Sequence, residues 1–240
     1  MTISLGPDKN HESVAAMFND IAHRYDFLNH FLSLGVDKIW RKQLISNIIS
    51  TKPLTVLDIA TGTGDLAIQL AKSSPNFSIT GIDISSGMLE LSQQKLIKAG
   101  LTGRIRLVQA DALHLPFPEA HFDSAMVAFG VRNFSDPVKG MTEIIRVLKP
   151  GGKLFILEFS MPSNSLLLSL YGLYFKYILP FIGRIISGHK LAYSYLPDSV
   201  TKFPNGKDFT TLMESAGFRN CNYTSLSFGI ATLYEGKKDI

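Results

Sequence analysis

The stretch TVLDIATGTGDLAIQLAK, Thr55 to Lys72, constrains this chain more than any other. Thr55 to Thr61 is a short apolar, β-branched run with one acid in it, Asp58, and glycines close it. Such a run reads as a buried strand. Gly62-Thr63-Gly64 then makes a tight turn, and Leu66, Ile68, Leu70 and Ala71 begin a helix behind it. Asp65 falls in or beside the first helical turn, where a carboxylate suits the free N–H groups and the positive dipole end. A strand that ends in glycines and runs into a helix lets a ligand approach bare backbone at the edge of a parallel sheet. That is a nucleotide-type pocket, and the motif alone does not choose the nucleotide.

Gly62-x-Gly64-x-x-Ala67 also fits a relaxed dinucleotide fingerprint, in which the helix N-terminus faces a pyrophosphate. The alternative ligand is S-adenosylmethionine, which has no phosphate and carries a sulfonium cation and an amino-acid tail. A site for it tolerates an acid inside the motif, as at Asp58, and wants further acids on the ribose.

The rest of the chain supplies them. Asn76–Ile84 (NFSITGIDI) is a second strand with Asp83 near its end, followed by a helix that Ser85 caps and Gly100 ends. Ile105–Asp111 is a third strand and Phe122–Phe129 a fourth. Asp136-Pro137 starts a helix running to Leu148, Lys149-Pro150-Gly151-Gly152 is a hard turn, and Lys153–Ser160 is a fifth strand. A helix at Asp208–Gly217 leads into two strands that turn near Gly229, a hairpin closing one end of the sheet antiparallel. Five alternating strands and this hairpin predict an α/β fold, a doubly wound, mostly parallel seven-stranded sheet.

In such a sheet the carboxyl ends of the first three strands share one crevice, which gathers Asp58, Asp83 and Asp111. Asp83 is placed to accept both ribose hydroxyls of an adenosine, and Asp111-Ala112 fits the slot where an adenine edge meets an acid and a backbone N–H. Asp83 suits NAD equally well. Asp58 beside the glycines, the acid at Asp111 and the terminal hairpin favour S-adenosylmethionine, because a carboxylate at Asp58 repels a pyrophosphate and attracts an ammonium group.

Two segments flank this core. Residues 13–50 form an N-terminal helical arm, with apolar residues at helical spacing on either side of Gly35 and the polar group Tyr25, Asp26, Asn29 and His30 between them. Residues 161–206 form a helical cap inserted before the last helix. Its apolar stretch is interrupted by Lys176, Pro180 and Arg184, too often for a membrane span of about 20 residues. All of this fits a single domain over 1–240, long enough for a substantial core. With net charge +4 and no Lys/Arg run, nucleic acid is not an expected partner. Lone Cys221 and the lack of a secretory leader fit a reducing, cytoplasmic setting, and no His/Cys cluster has metal-ligand spacing.

The blocks MFNDIAHRYDFLNHFLSLGVDKIWR, LDIATGTGDL, GIDISSGML, DALHLPFPEAHFD, AFGVRNFSDPVKGMTEIIRVLKPGG and YSYLPDSVTKFPNGKDF occur in unbroken order from about Val14 onward. Together they resemble the ubiquinone/menaquinone-biosynthesis C-methyltransferases. The glycine loop and LKPGG turn are shared by class I, Rossmann-like methyltransferases generally, whereas RYDFLNHFLSLG and FGVRNF are much more specific to this family. The resemblance implies methylation of a ring carbon on a polyprenyl quinol with S-adenosylmethionine as donor. It also implies donor contacts at Thr63, Asp83, Asp111 and Ala112, beside Gly62 and Gly64 of the loop. Many members that also serve ubiquinone have Ser where this chain has Ala128, which favours demethylmenaquinol over 2-methoxy-6-polyprenyl-1,4-benzoquinol. A methyltransferase acting on a soluble phenol or a sterol, and a non-catalytic donor-binding scaffold, are the rival readings.

Ring methylation needs a stabilised phenolate, a proton acceptor and an apolar channel for the prenyl tail. Arg132 and Asn133 follow the fourth strand at the crevice and offer a fixed cation and an amide. Arginine stays protonated, so Arg132 is expected to act electrostatically; the competing reading pairs it with a structural acid. Tyr195, Tyr193, Asp26 or a water is the expected base. Leu166–Ile186 is expected to line a groove open to a membrane surface, giving a transient peripheral contact at the inner face of the cell membrane. A homodimer stays open.

Overall fold

The structure, a computed structural model, describes residues 14–20, 22–23, 33, 35–162, 164, 168–169, 172–173 and 199–240. Its strands are β1 (Thr55–Ile59), β2 (Ser78–Asp83), β3 (Ile105–Gln109), β4 (Phe122–Ala128), β5 (Leu148–Phe159), β6 (Arg219–Leu226) and β7 (Ala231–Lys237). They form one seven-stranded sheet in the order β3-β2-β1-β4-β5-β7-β6. β1 to β5 are parallel to one another, and β7 runs antiparallel between β5 and β6. The helices that serve the sheet are α1 (Asp37–Ser50), α2 (Asp65–Ser73), α3 (Ser86–Ala99), α4 (Pro137–Val147) and α5 (Lys207–Ser215). The expected doubly wound, mostly parallel architecture is present, with the terminal hairpin at one end.

Local chemistry sets the helix boundaries. Ser85 Oγ accepts the Met88 N–H at 3.1 Å and caps α3, which ends at Gly100 in the left-handed conformation, φ +67°. Asp136 caps α4 by accepting the Lys139 N–H at 2.9 Å, with Pro137 supplying a preset φ in the first turn.

The strands alternate sides with period two, and each side has its own core. Leu57, Ala125, Val127, Leu154 and Ile156 pack with Met141 and Ile144 of α4 and Phe209 and Met213 of α5. Val56, Met126, Phe155 and Leu157 pack on the other face with Leu44 and Ile48 of α1 and Leu66 and Leu70 of α2. Glu158 interrupts the apolar run of β5 and is 1% exposed.

Several boundaries differ from expectation, three of them for a reason visible in the backbone. β1 stops at Ile59, because Ala60 turns into the left-handed region at φ +53°. β3 stops at Gln109, because Asp111 forms a side-chain turn: its Oδ1 accepts the Leu113 N–H at 2.9 Å and its carbonyl accepts the His114 N–H. The Lys149–Gly152 turn lies within β5, as a bulge. Leu148 pairs with Phe122 and Lys153 with Ser124, so four residues of β5 face one of β4. Gly151 there has φ +76°.

In the arm, residues 14–20 and 22–23 are helical, and Gly35 precedes α1. Most of the expected cap at 161–206 lies outside the described residues, as do Tyr25, Asp26, Asn29 and His30. Among the described residues no helix is long and apolar enough to cross a membrane.

These packing assignments separate two kinds of cost. Phe155→Ala empties a site that is 0% exposed and should cost about 3–5 kcal/mol. Asp136→Ala removes only a cap and should cost about 1 kcal/mol. Urea unfolding of the two variants measures both, and equal losses would refute the assignment of Phe155 to the central core.

Candidate donor and acceptor site

The sheet order places β1 beside β4, and the chain leaves these neighbours toward opposite faces, so a crevice opens at their carboxyl ends. The turns after the two strands are in close contact there. Ala60 after β1 and Phe129 after β4 both hold positive φ, +53° and +59°, and a Cβ on Gly130 would stand 2.6 Å from the Ala60 Cβ. Left-handed conformations at residues with side chains are costly and collect at functional sites.

An open cleft of about 740 Å³ occupies this edge. Gly62, Asp83, Asp111, Ala112 and Asn133 all line it, so it gathers five of the positions singled out in the sequence. Val14 and Phe18 of the arm, Ile84, Met88, Leu113, Phe129 and Phe134 give the wall its apolar part.

Asp83 is the best-defined group. It is 8% exposed, its Oδ2 accepts the Gly62 N–H at 2.8 Å, and its Oδ1 accepts the Ser85 N–H at 2.9 Å. Burial raises its pKa, opposed by those backbone donors. A carboxylate has about four lone-pair sites, so these backbone donors, with the Ile84 N–H beside them, still leave it able to accept from a ribose hydroxyl.

Asp58 lies behind the loop. It is 1% exposed, and the Thr61 hydroxyl donates to its Oδ2 at 2.6 Å. Burial pushes its carboxyl up to about 7, against the Thr61 bond and the charge of Arg41, while the nearby Asp83 pushes the same way as burial.

Thr63 and Gly64 back the loop and meet α3. Lys95 Nζ donates to Thr63 Oγ1 at 2.9 Å and to Asp65 Oδ1 at 2.6 Å. Arg132 is 5% exposed; its Nη1 donates to Glu158 Oε1 at 2.5 Å and to the Phe129 carbonyl, and its N–H reaches Glu158 Oε2 at 3.3 Å. The pairing of Arg132 with a buried acid, one of its two readings from sequence, is therefore present. Tyr193 and Tyr195 lie outside the described residues.

Three contributors escaped the sequence reading. Glu158 carried a usable signal, a single acid inside the apolar run KLFILEFS. Lys95 and Asn19 carried none, because their targets are distant in sequence. Asn19 Oδ1 accepts from the Ser85 hydroxyl at 2.6 Å and from the Gly87 N–H at 3.0 Å, which fastens the arm to the start of α3.

The crevice fits S-adenosylmethionine better than a dinucleotide. A pyrophosphate at the glycine loop would need the Gly62 N–H, which Asp83 already holds at 2.8 Å, and would meet that carboxylate. An adenosine would find Asp83 for its ribose, Asp111 and Ala112 for its base, and an apolar surface from Ile84, Met88 and Leu113.

The model of the ubiE/COQ5 methyltransferase family matches residues 7–238. The chain belongs to that family. The ubiquinone/menaquinone biosynthesis C-methyltransferase UbiE of Geobacter sulfurreducens is 46% identical over 230 residues, covering 95% of this chain and 90% of the relative. The demethylmenaquinone methyltransferase of Deinococcus radiodurans is 45% identical over 227 residues, covering 95% and 93%. The crystal structure of a SAM-dependent methyltransferase from Aquifex aeolicus shares the fold, with a TM-score of 0.57 at 20% identity over 77% of this chain and 81% of that one. As a member of this family the chain is a methyltransferase, and its methyl donor is S-adenosylmethionine.

The Asp58 shift has a measurable sign. Its native pKa of about 7 lies above the 3.8 of an ordinary aspartate, so between these values the native chain holds a proton that the unfolded chain has lost. Its contribution to stability therefore falls as pH rises through that window. Relative to Asp58→Asn, wild type should lose on the order of a few kcal/mol between about pH 4 and about pH 8. Paired urea titrations of both proteins read this difference, and a difference flat with pH would show Asp58 ionised throughout.

Proposed function

We propose that this chain methylates a ring carbon of demethylmenaquinol to give menaquinol. The observation that carries the reading is that a single cleft joins the carboxylates of Asp83 and Asp111 to an apolar wall of Phe18, Phe129 and Phe134, with Asn133 beside them. The names of the relatives from Geobacter sulfurreducens and Deinococcus radiodurans support the quinone class. Ala128 lines the same cleft and puts a methyl group where a hydroxyl would add a polar contact. That supports the naphthoquinol, and the UbiE name keeps 2-methoxy-6-polyprenyl-1,4-benzoquinol as the second substrate to test.

S-adenosylmethionine supplies an electrophilic methyl group, so alignment of the ring carbon with it provides much of the rate. Gly62, Thr63, Gly64, Asp83, Asp111 and Ala112 hold the donor in this reading. Asn133 offers its amide to the ionised quinol oxygen, which keeps the neighbouring ring carbon electron-rich. Glu158 holds Arg132 by both its peptide N–H and its guanidinium, and this supports a role in placing Asn133 rather than direct contact with the oxygen. As the new carbon–carbon bond forms the methyl–sulfur bond breaks, leaving S-adenosylhomocysteine, and the ring proton then goes to Tyr195, Tyr193, Asp26 or a water. The arm, sheet and inserted cap act as one catalytic domain.

Incubating the purified chain with methyl-labelled donor and reduced demethylmenaquinone, beside the methoxy-benzoquinol and a soluble phenol, tests the substrate. Label should appear chiefly in menaquinol. Label in the benzoquinol or phenol instead would replace the substrate, and no transfer to any would leave a binding scaffold. Asn133→Ala should lower turnover by about a hundredfold, as for a lost oxyanion donor, with donor affinity little changed.

A polyprenyl quinol resides in the bilayer, which supports docking of residues 166–186 on a membrane surface. Leu168 and Leu173, in this segment, are 41% and 59% exposed. Each leucine withdrawn fully from water contributes about 1.5–3 kcal/mol, so a few give reversible attachment. Leu168→Ser with Leu173→Ser should reduce sedimentation with anionic vesicles and slow turnover of long-tailed quinols only. Equal slowing on a short-tailed analogue would assign both leucines to packing.

A further inference from the structure

Lys95 lies outside the cleft wall, on the face of α3 turned to the glycine loop, and the donor's adenosine does not need it. Its ammonium reaches Thr63 Oγ1 at 2.9 Å and Asp65 Oδ1 at 2.6 Å, so one side chain of α3 joins the loop to the first residue of α2. Ser92, one turn earlier on the same helix, is 0% exposed and packs so closely that a Cβ on Gly64 would stand 2.3 Å from its Oγ. Gly64 holds φ +81°, which side chains rarely adopt. The loop is therefore shaped against α3 by Ser92 and secured there by Lys95.

We propose that Lys95 is a positioning residue for the amino-acid tail of the methyl donor, acting through Thr63 and Asp65. The proposal rests on the reading that adenosine lies at Asp83 and Asp111. Asp83 ends β2 and Asp111 follows β3, whereas the acceptor wall follows β4, so a donor spanning them crosses the turn after β1. Its sulfonium and tail then lie at Gly62–Gly64. The tail ends in an ammonium and a carboxylate, and the carboxylate arrives near Asp65, a like charge at the head of α2. Lys95 cancels that charge. An ammonium has only donors, so the Thr63 oxygen accepts from Lys95, which fixes the side of the hydroxyl from which its hydrogen is excluded. The Lys95 side chain is 32% exposed, so its pairing contributes little to global stability and its replacement leaves the fold intact.

The test compares two ligands by calorimetry. S-adenosylhomocysteine carries the full tail, and 5′-methylthioadenosine keeps the adenosine and sulfur without it. Lys95→Met should weaken S-adenosylhomocysteine by about tenfold or more and leave methylthioadenosine unchanged, since a hydrogen bond to a charged group is lost only where the tail binds. Lys95→Arg should restore most of the affinity. Asp65→Asn added to Lys95→Met should recover part of the loss by removing the uncancelled charge. Equal loss on both ligands, or no loss on either, overturns the role of Lys95 while leaving the donor site standing. A wild-type chain that binds neither ligand overturns the donor placement itself. The melting temperature of each variant, read in the same samples, shows that the chain is folded.

Discussion

The Asp83 carboxylate accepts the Gly62 N–H with one oxygen and the Ser85 N–H with the other, and these two bonds tie the turn after β1 to the turn after β2. They are among the bonds that hold the glycine loop in shape, since Gly62 and Gly64 both sit at positive φ with no side chain to stiffen them. The same bonds explain how an acid is kept at the end of a buried strand. Two oriented amides replace part of the water that burial removed, and the remaining lone pairs face the cleft.

Each buried acid near this edge is handled differently. Asp83 is solvated by backbone, Asp58 by the Thr61 hydroxyl and by a pKa high enough to let it take up a proton, and Glu158 by Arg132. The three solutions have different consequences. Breaking the Arg132–Glu158 pair by removing one partner would strand a charge at a cost of about 3–5 kcal/mol. That makes the pair a rigid anchor under Asn133, since Glu158 holds both the guanidinium and the peptide N–H of the preceding residue. Asp58 is softer: its charge can change with pH, and a cation bound at the loop would favour the ionised form.

The sequence exposed what local patterning controls. Alternating apolar periods, the Ser85 and Asp136 caps and the hairpin signal at Gly229 are short-range effects, so the strand and helix sequence was legible to within a few residues. Asp83 and Asp111 were legible because a doubly wound sheet always brings its carboxyl ends together. The Lys149–Gly152 bulge looked like a turn because only pairing across to Phe122 and Ser124 reveals that the strand continues. The burial of Arg132 against Glu158 needed two residues 26 apart to be adjacent, and Lys95 needed 32 to Thr63. No spacing rule along one chain segment encodes such contacts; they exist only once the sheet is assembled.

The arm completes this assembly from outside. Ser85 does two things at once: its Oγ accepts the Met88 N–H as the cap of α3 and donates to Asn19 Oδ1. Asn19 in turn accepts the Gly87 N–H, one of the amides that a helix start leaves unsatisfied. The arm therefore finishes the cap of the helix whose next turns carry Ser92 and Lys95 to the glycine loop. Val14 and Phe18, on the same arm, form part of the cleft wall. Contacts at 19, 85, 92, 95 and 64 thus run as one chain from the arm to the loop, and displacement of the arm would remove both a wall of the cleft and a support of the helix that shapes its floor.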